Sequence, residues 1–570
     1  MPLKVHPNEN DHRLQPTITN RPVCTPSTKL KLDILIHFIS FACEYIYKEY
    51  ISMKKFLTLI LCIAAVIACG DIDRYPDPGI NKPSNGNTEQ KPGDNEGSEN
   101  PENPGQNPEN PGQTPEDPGN QTPEPNPTWD YSPVTTATIG HAGLSYIWDE
   151  NMIPEITVSV SLEEWNKLLG LYDQNNKTKE YIYCDVKYKK GADVYMIEDA
   201  GLRLRGNTSR RRPETWQGDG KHVKDRADWQ HCHFGINLRK HVKDGEHEIK
   251  GIRKFNLKWF KDDPCYAREL FCYDLFRRAG IWTAAFDIYC RLWIHVEGDS
   301  KPAYFGVYEM IEPYDDKYVA KRKNLFGSTD GNLWKCTWAQ QPADMTSINA
   351  VFGLDNDRDD FTYELKEYGS NFNEAKEQLQ DFMLKVQGKS DESFKTWIQQ
   401  VCDVELLMRT YAVNVAVGMW DDLWNNGNNY YLYFNSTDKY NYKVFFIPYD
   451  YDNTLGTSNA YDAAKQDPYN WGDKGILIER MMKIEEFRNI YRDELKRLVD
   501  PAYGLMDQAS ASQRIIDWQN KIKDYIKNDT GEDMEIKDRA ASWGRIGDYR
   551  LMSTDNNYFT VKAETINKLK

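Results

Sequence analysis

The sequence lacks any apolar side chain over one long internal stretch. Between Asn81 and Thr128 there is no Ala, Val, Ile, Leu, Met, Phe, Trp, Tyr or Cys. A segment with nothing to bury cannot form a core, so the 39% hydrophobic content of the chain concentrates elsewhere. Positive charge is also short: 71 Lys+Arg against 87 Asp+Glu leave a net −16. That balance excludes a protein held to nucleic acid through phosphate contacts, which need a basic surface. No CxxC pair occurs, and an odd seven cysteines lie beyond residue 130 (Cys184, Cys232, Cys265, Cys272, Cys290, Cys336 and Cys402). Neither a disulfide framework nor a zinc ribbon follows from that pattern. No Gly-X-Y period, heptad run or solenoid repeat is present, which excludes fibrous and array architectures. What the chain has in plenty is amphipathic aromatics, 16 Trp and 35 Tyr, suited to a large core or a sugar-stacking surface. Its 570 residues suggest roughly three domains or one large two-lobed one.

The N-terminal part reads as an address. Met53-Lys54-Lys55, the apolar run Phe56 to Ala65 and then Val66-Ile67-Ala68-Cys69 have the order of a secretory signal. The run is short for a bilayer span of about 20 residues. Its Ala-Cys ending resembles the bacterial lipoprotein box, which makes Cys69 the lipidated residue and Met53 the start of translation. Residues 1–52 are then an upstream mis-translation. Residues 70–128 form a Pro/Glu/Asn-rich tether: NPENPGQ at Asn100–Gln106 is repeated at Asn107–Gln113 and varied as TPEDPGN at Thr114–Asn120. Asp71 and Asp73 resemble the acidic export tags of Bacteroidetes surface lipoproteins, so a lipid-anchored place on a bacterial outer membrane or cell surface is expected.

From Trp129 the pattern is globular. Alternation predicts strands at Ile156–Val160, Tyr181–Tyr188, Gly201–Arg205, Phe255–Phe260, Phe286–Val296 and Ala303–Glu312. Ser161 opens a capping-box-like helix to about Leu171, and Pro264 starts one that Gly280 ends. Beyond Pro313 helices dominate, at Phe372–Val386, Glu392–Val401 and Val404–Val417, interrupted by a hairpin-like pair, Asn429–Phe434 and Lys443–Pro448. A strand-rich part, 129–312, followed by a helix-rich part, 313–570, is an α+β, two-lobed plan. His231-Cys232-His233 puts two imidazoles on one strand face without further ligands. Asp355 to Asp360 lacks the Gly and Glu of a calcium loop.

Three places carry chemistry. The helix 264–279 is apolar on two sides, so Glu269 and Asp274 need partners, and Lys258 on the preceding strand is the nearest. From these residues alone the pair is a structural ion pair, a surface lysine or a functional couple. Trp420 to Asn429 packs two acids, Asp421 and Asp422, among four amides between a helix end and a strand. FFIPYDYDNTLG ends an apolar strand in Asp450, Asp452 and Asn453, an oxygen-rich site suited to Mg²⁺.

The order of these parts is that of protein kinases, although the HRD, DFG and VAIK wording is absent. LRLRGNTSR, KFNLKWF, the Arg268-Glu269 helix, YFGVYEMIE, NLWK, WDD…NNYYLY and IPYDYDNTLG together resemble the spore coat protein H (CotH) kinase family over about residues 150–480. The resemblance implies an atypical, kinase-like two-lobed fold that uses ATP with Mg²⁺, or Mn²⁺, to phosphorylate Ser or Thr of a protein substrate. It implies Asp421 or Asp422 as catalytic acid and Asn429, Asp450 and Asp452 on the metal. Lys258 would hold phosphates, oriented by Glu269, with Arg205, Asn207 and Ser209 as the nucleotide-facing turn and Glu312 at the linker. The competing reading is a catalytically inactive, adhesin-like surface lipoprotein that binds glycan or protein.

Overall fold

Alternating apolar residues build the first sheet. In β1 (Glu155–Val160) Ile156, Val158 and Val160 are buried and their neighbours are not. Ser161 then caps α1 (Leu162–Gln174), its Oγ accepting from Glu164 N at 3.2 Å. β2 (Ile182–Lys190), β3 (Asp193–Arg205), β4 (His233–Asn237) and β5 (Lys254–Lys258) follow. After α2 (Arg268–Arg278) come β6 (Asp287–Val296) and β7 (Ala303–Ile311). The strands close into a barrel in the order β1-β2-β3-β4-β5-β7-β6, sealed by parallel pairing of β6 with β1. Ile156, Val186, Leu202, Phe234, Leu257 and Leu292 belong to its core.

The structure, a computed structural model, describes residues 129–354, 360–367 and 369–570. Residues 1–52, the signal-like run with Cys69, the tether 70–128 and most of the acidic run at 355 lie outside the described residues. Among the described residues no helix is long and apolar enough to cross a membrane. All seven cysteines beyond residue 130 are free and buried.

Helix α2 begins at Arg268, four residues later than the proline signal predicts. The Asp263 carboxylate accepts from Ala267 N and Arg268 N, both at 2.6 Å, and so sets the first turn. Every residue from Arg268 to Arg277 is buried, as a helix apolar on two sides requires. Gly280, at φ 81°, ends it where a Cβ would press within 2.6 Å of Asp130 O.

The remaining chain is not only helical. A second sheet runs β12-β11-β8-β10-β9, from β8 (Asn332–Cys336), β9 (Phe352–Leu354), β10 (Tyr363–Glu367), β11 (Tyr430–Phe434) and β12 (Val444–Pro448). β8 and β10 were hidden from pattern reading because Trp334, Cys336, Tyr363 and Leu365 are buried beside other buried residues, which erases alternation, and β9 is only three residues long. Around this sheet pack α3 (Phe372–Gly388), α4 (Asp391–Val401), α5 (Val404–Ala416), α6 (Ile476–Lys483), α7 (Glu485–Val499), α8 (Gln508–Ile522) and α9 (Tyr558–Ile566). Their apolar faces form one core that also takes in α2. The mixed α and β content agrees with the α+β class.

Candidate active site

Two strand faces line a polar cleft of about 250 Å³. Arg203 and Arg205 on β3 and Lys258 on β5 come from the barrel; Lys335 on β8, Glu364 and Lys366 on β10 and Tyr431 on β11 come from the second sheet. The turn after β3, Gly206 to Arg210, closes one end. Gly206 sits at φ 99°, where a Cβ would lie 2.5 Å from Ser209 Oγ. Arg210 pins the turn from behind, donating from Nε to Gly206 O at 2.9 Å and from Nη1 to Thr178 O at 2.8 Å.

Lys258 is the hub. Its ammonium meets the Glu269 carboxylate of α2, Asp450 Oδ1 at 2.6 Å and Asp452 Oδ2 at 3.3 Å. Burial alone would lower its pKa, but the carboxylates of Asp450, Asp452 and Glu269 outweigh burial and hold it well above the usual lysine range. Asp450 is kept below the ordinary carboxylate range because Lys258, with Lys335 and Arg205, overrides burial. Asp452 goes the other way: burial and the charges of Asp450 and Glu269 push it well up. Burial raises Glu269 too, partly offset by Lys258. Across the strand pair Lys258 faces Glu309, which burial and then Glu269 and Asp287 hold far above normal.

Asp450 and Asn429 both adopt left-handed backbone, at φ 65° and 55°. Non-glycine residues rarely do, and such strain collects at functional sites. Here it turns both side chains off strand ends into the same cleft. Tyr273 OH accepts from Asp450 N at 3.2 Å and Glu269 Oε1 from Tyr451 N at 3.1 Å, so α2 holds the DYD segment through its backbone.

Asp421 lines the cleft, whereas Asp422 does not. Asp421 Oδ1 accepts from Asn426 Nδ2 at 2.6 Å and Asn428 Nδ2 at 2.9 Å, and Oδ2 from Asn429 Nδ2 at 3.0 Å. Burial raises its pKa and these amides counter part of the rise. Asp422 is 2% exposed and organises the loop itself, its carboxylate accepting from Asn425 N at 2.7 Å and Asn414 Nδ2 at 2.5 Å.

The residues singled out from the sequence divide accordingly. Arg205, Asn207, Ser209, Lys258, Asp421, Asn429, Asp450 and Asp452 line the cleft, and Glu269 reaches it through Lys258. Glu312 does not: it is fully buried in a pair with Arg322 (2.7 Å) and Lys321 (2.9 Å). That two-cation site, rather than the cleft, explains a charged residue at the end of β7. The two histidines of the HCH run make structural contacts, and His233 also lines the cleft. His231 Nε2 contacts Phe305 O at 2.6 Å and His233 Nδ1 accepts from Trp259 N at 3.0 Å. Sequence reading missed the cleft-lining Lys179, Arg203, Lys335, Glu364 and Lys366. Lys335, the last letter of NLWK, and Arg203, within LRLRGNTSR, did lie in motifs that the sequence offered.

The geometry suits a divalent cation. Ligand oxygens of Glu269, Asp450 and Asp452 lie within 4.8 Å of one another. Asn453 Oδ1, at the same cleft, is a buried acceptor without a hydrogen-bond partner among the described residues. Hard oxygen donors of this kind fit Mg²⁺ or Mn²⁺. The family model described as CotH kinase protein matches residues 202–555. The chain belongs to the CotH kinase family. The CotH match spans every cleft-lining residue except Lys179. Comparison with curated proteins gives no match.

Proposed function

We propose that this CotH-family chain is an atypical kinase transferring the ATP γ-phosphate to a Ser or Thr hydroxyl of a protein substrate with Mg²⁺ or Mn²⁺. The observation that carries the reading is the meeting of Lys258, Asp421, Asn429, Asp450 and Asp452, from separate segments, at one cleft. In this reading the barrel is the N-lobe and the second sheet with its helices the C-lobe of a two-lobed kinase-like fold.

Phosphoryl transfer asks little covalent chemistry of a protein and much positioning and charge stabilisation. Lys258, held by Glu269, would bind phosphate oxygens, with Arg205, Asn207 and Ser209 covering them from the β3 turn. Asp450, Asp452 and Asn429 would hold the cation, which neutralises charge on the phosphate chain. Asp421 would align the acceptor hydroxyl. It would take the proton as the new oxygen–phosphorus bond forms and the bond to the departing ADP breaks.

The surface setting belongs to the same proposal: lipidation at Cys69 and a tether over residues 70–128 would hold the enzyme on a bacterial outer membrane or cell surface. Calorimetric titration with ATP, with and without Mg²⁺, tests the reading. Metal-dependent binding supports it. Absence of binding at millimolar ATP with either Mg²⁺ or Mn²⁺ would leave the non-catalytic binding lipoprotein as the better account.

A further inference from the structure

One cation in the cleft comes from the wall opposite Lys258. Lys335 lies at the centre of the second sheet, paired in register with Tyr431 on one side and Glu364 on the other. Directly paired residues share a sheet face, and all three line the cleft. The Lys335 ammonium stands 5.3 Å from the centroid of the Tyr449 ring, on the residue just before Asp450. The barrel wall presents Arg205 and Lys258 to the same space. Gly235, between them on β4, leaves room for the Arg205 stem, which a Cβ there would meet at 2.9 Å.

We propose that Lys335 binds the phosphate chain of the nucleotide from the second-sheet wall, facing Arg205 and Lys258 across the cleft. The proposal rests on the kinase reading. A triphosphate carries more negative charge than one divalent cation and one lysine cancel, so cations from both walls of the cleft are drawn to it. A lysine suits this role because its ammonium is a compact point charge on a flexible stem.

Calorimetry with ATP, ADP and adenosine on the full chain and on Lys335→Met and Lys335→Arg decides the matter. Lys335→Met should weaken ATP binding about 10- to 100-fold, the worth of a hydrogen bond to a charged group. Adenosine binding should not change, and Lys335→Arg should recover most of the ATP affinity. Equal affinity of wild type and Lys335→Met for ATP overturns the proposal and leaves the kinase reading standing. A matching loss for adenosine also overturns it, by showing a structural or base-side role. If wild type binds neither ATP nor ADP, both readings fall. Should Lys335→Met melt early, Lys335→Gln supplies the same comparison with a polar side chain of similar length.

Discussion

Asp421 and Asp422 are consecutive in the chain, yet their carboxylates serve opposite ends of one loop. Asp421 faces the cleft under three asparagine amides. Asp422 turns inward to Asn414 on α5 and to the backbone of Asn425. Its carbonyl also accepts from Asn426 N and Asn428 N, both at 3.0 Å, so Asp422 shapes the loop that aims the cleft-facing Asp421. Asn414 extends the link, accepting at Oδ1 from Tyr451 OH at 2.9 Å. Tyr451 lies between Asp450 and Asp452, so one buried chain of hydrogen bonds ties both halves of the site together.

The two acids should therefore fail differently. Asp421→Asn should lower phosphate transfer by about 10²- to 10⁴-fold, the usual worth of a positioned acid–base group, with ATP binding retained. Asp422→Ala should instead destabilise the fold by about 1–3 kcal/mol, through the unpaired donors of Asn414 and Asn425. Steady-state kinetics and denaturant unfolding on both variants separate the roles. Loss of catalysis in Asp422→Ala with full stability would reverse the assignment.

Asp421 must be ionised to accept a proton, and burial raises its pKa. Transfer should then decline as pH falls, with the acid limb above the ordinary carboxylate range. Asn426→Ala removes the 2.6 Å amide bond that favours the charged form, so the limb should move to still higher pH. A pH–rate profile of wild type and variant reads the shift directly; movement toward lower pH would contradict the role given to Asn426.

Glu312 should matter to stability rather than to nucleotide binding. Burial pushes its pKa up, but Arg322 and Lys321 outweigh it and hold the group down to about 2. A depressed carboxylate stabilises the fold above its unfolded pKa of about 4.3 and loses that contribution as pH falls toward 2. Glu312→Gln should cost about 3–5 kcal/mol at neutral pH, because Arg322 is left buried and unpaired. Thermal melts at descending pH should show the wild-type advantage shrinking in that window. A constant gap would rule out the ionised pair as its source.

Lys562 gives the opposite sign. Its ammonium is fully buried on α9, bonded to Ala463 O at 2.9 Å and 4.6 Å from the Trp471 ring centroid. Burial lowers its pKa to about 7, only partly offset by Asp462. Between 7 and the unfolded value of about 10.4 the unfolded chain holds a proton that the folded chain lacks, so stability rises with pH there. Lys562→Met should abolish that rise, and denaturant midpoints at pH 7 and about pH 9.5 measure it. A rise that persists in the variant would have another origin.

Much of the first sheet was legible because half-buried strands alternate: Ile156, Val158 and Val160 announce β1. The hairpin of β11 and β12 was legible as two apolar runs, but β8 and β10 were not, since consecutive buried residues show no period, and β9 has only three residues. Barrel closure was equally invisible, because parallel pairing of β1 with β6 joins segments more than 100 residues apart. At the site, polar residues where apolar continuity was due drew attention to Lys258, Asp421 and Asp450. The resemblance, not that rule, put Glu312 at the linker, and there its charge is matched by Arg322 and Lys321; the rule itself could not tell Asp421 from Asp422. Direction of a side chain within an irregular loop is a tertiary property, fixed here by Asn414 from a different helix.

The central claim is that the cleft transfers phosphate, with Asp421 as the residue facing the acceptor. Labelled γ-phosphate from ATP, followed into protein with wild type and Asp421→Asn at equal concentration and saturating Mg²⁺, tests it most directly. The account predicts incorporation by wild type and its near-complete loss in the variant, which still binds ATP. Incorporation at equal rates by both proteins would contradict it.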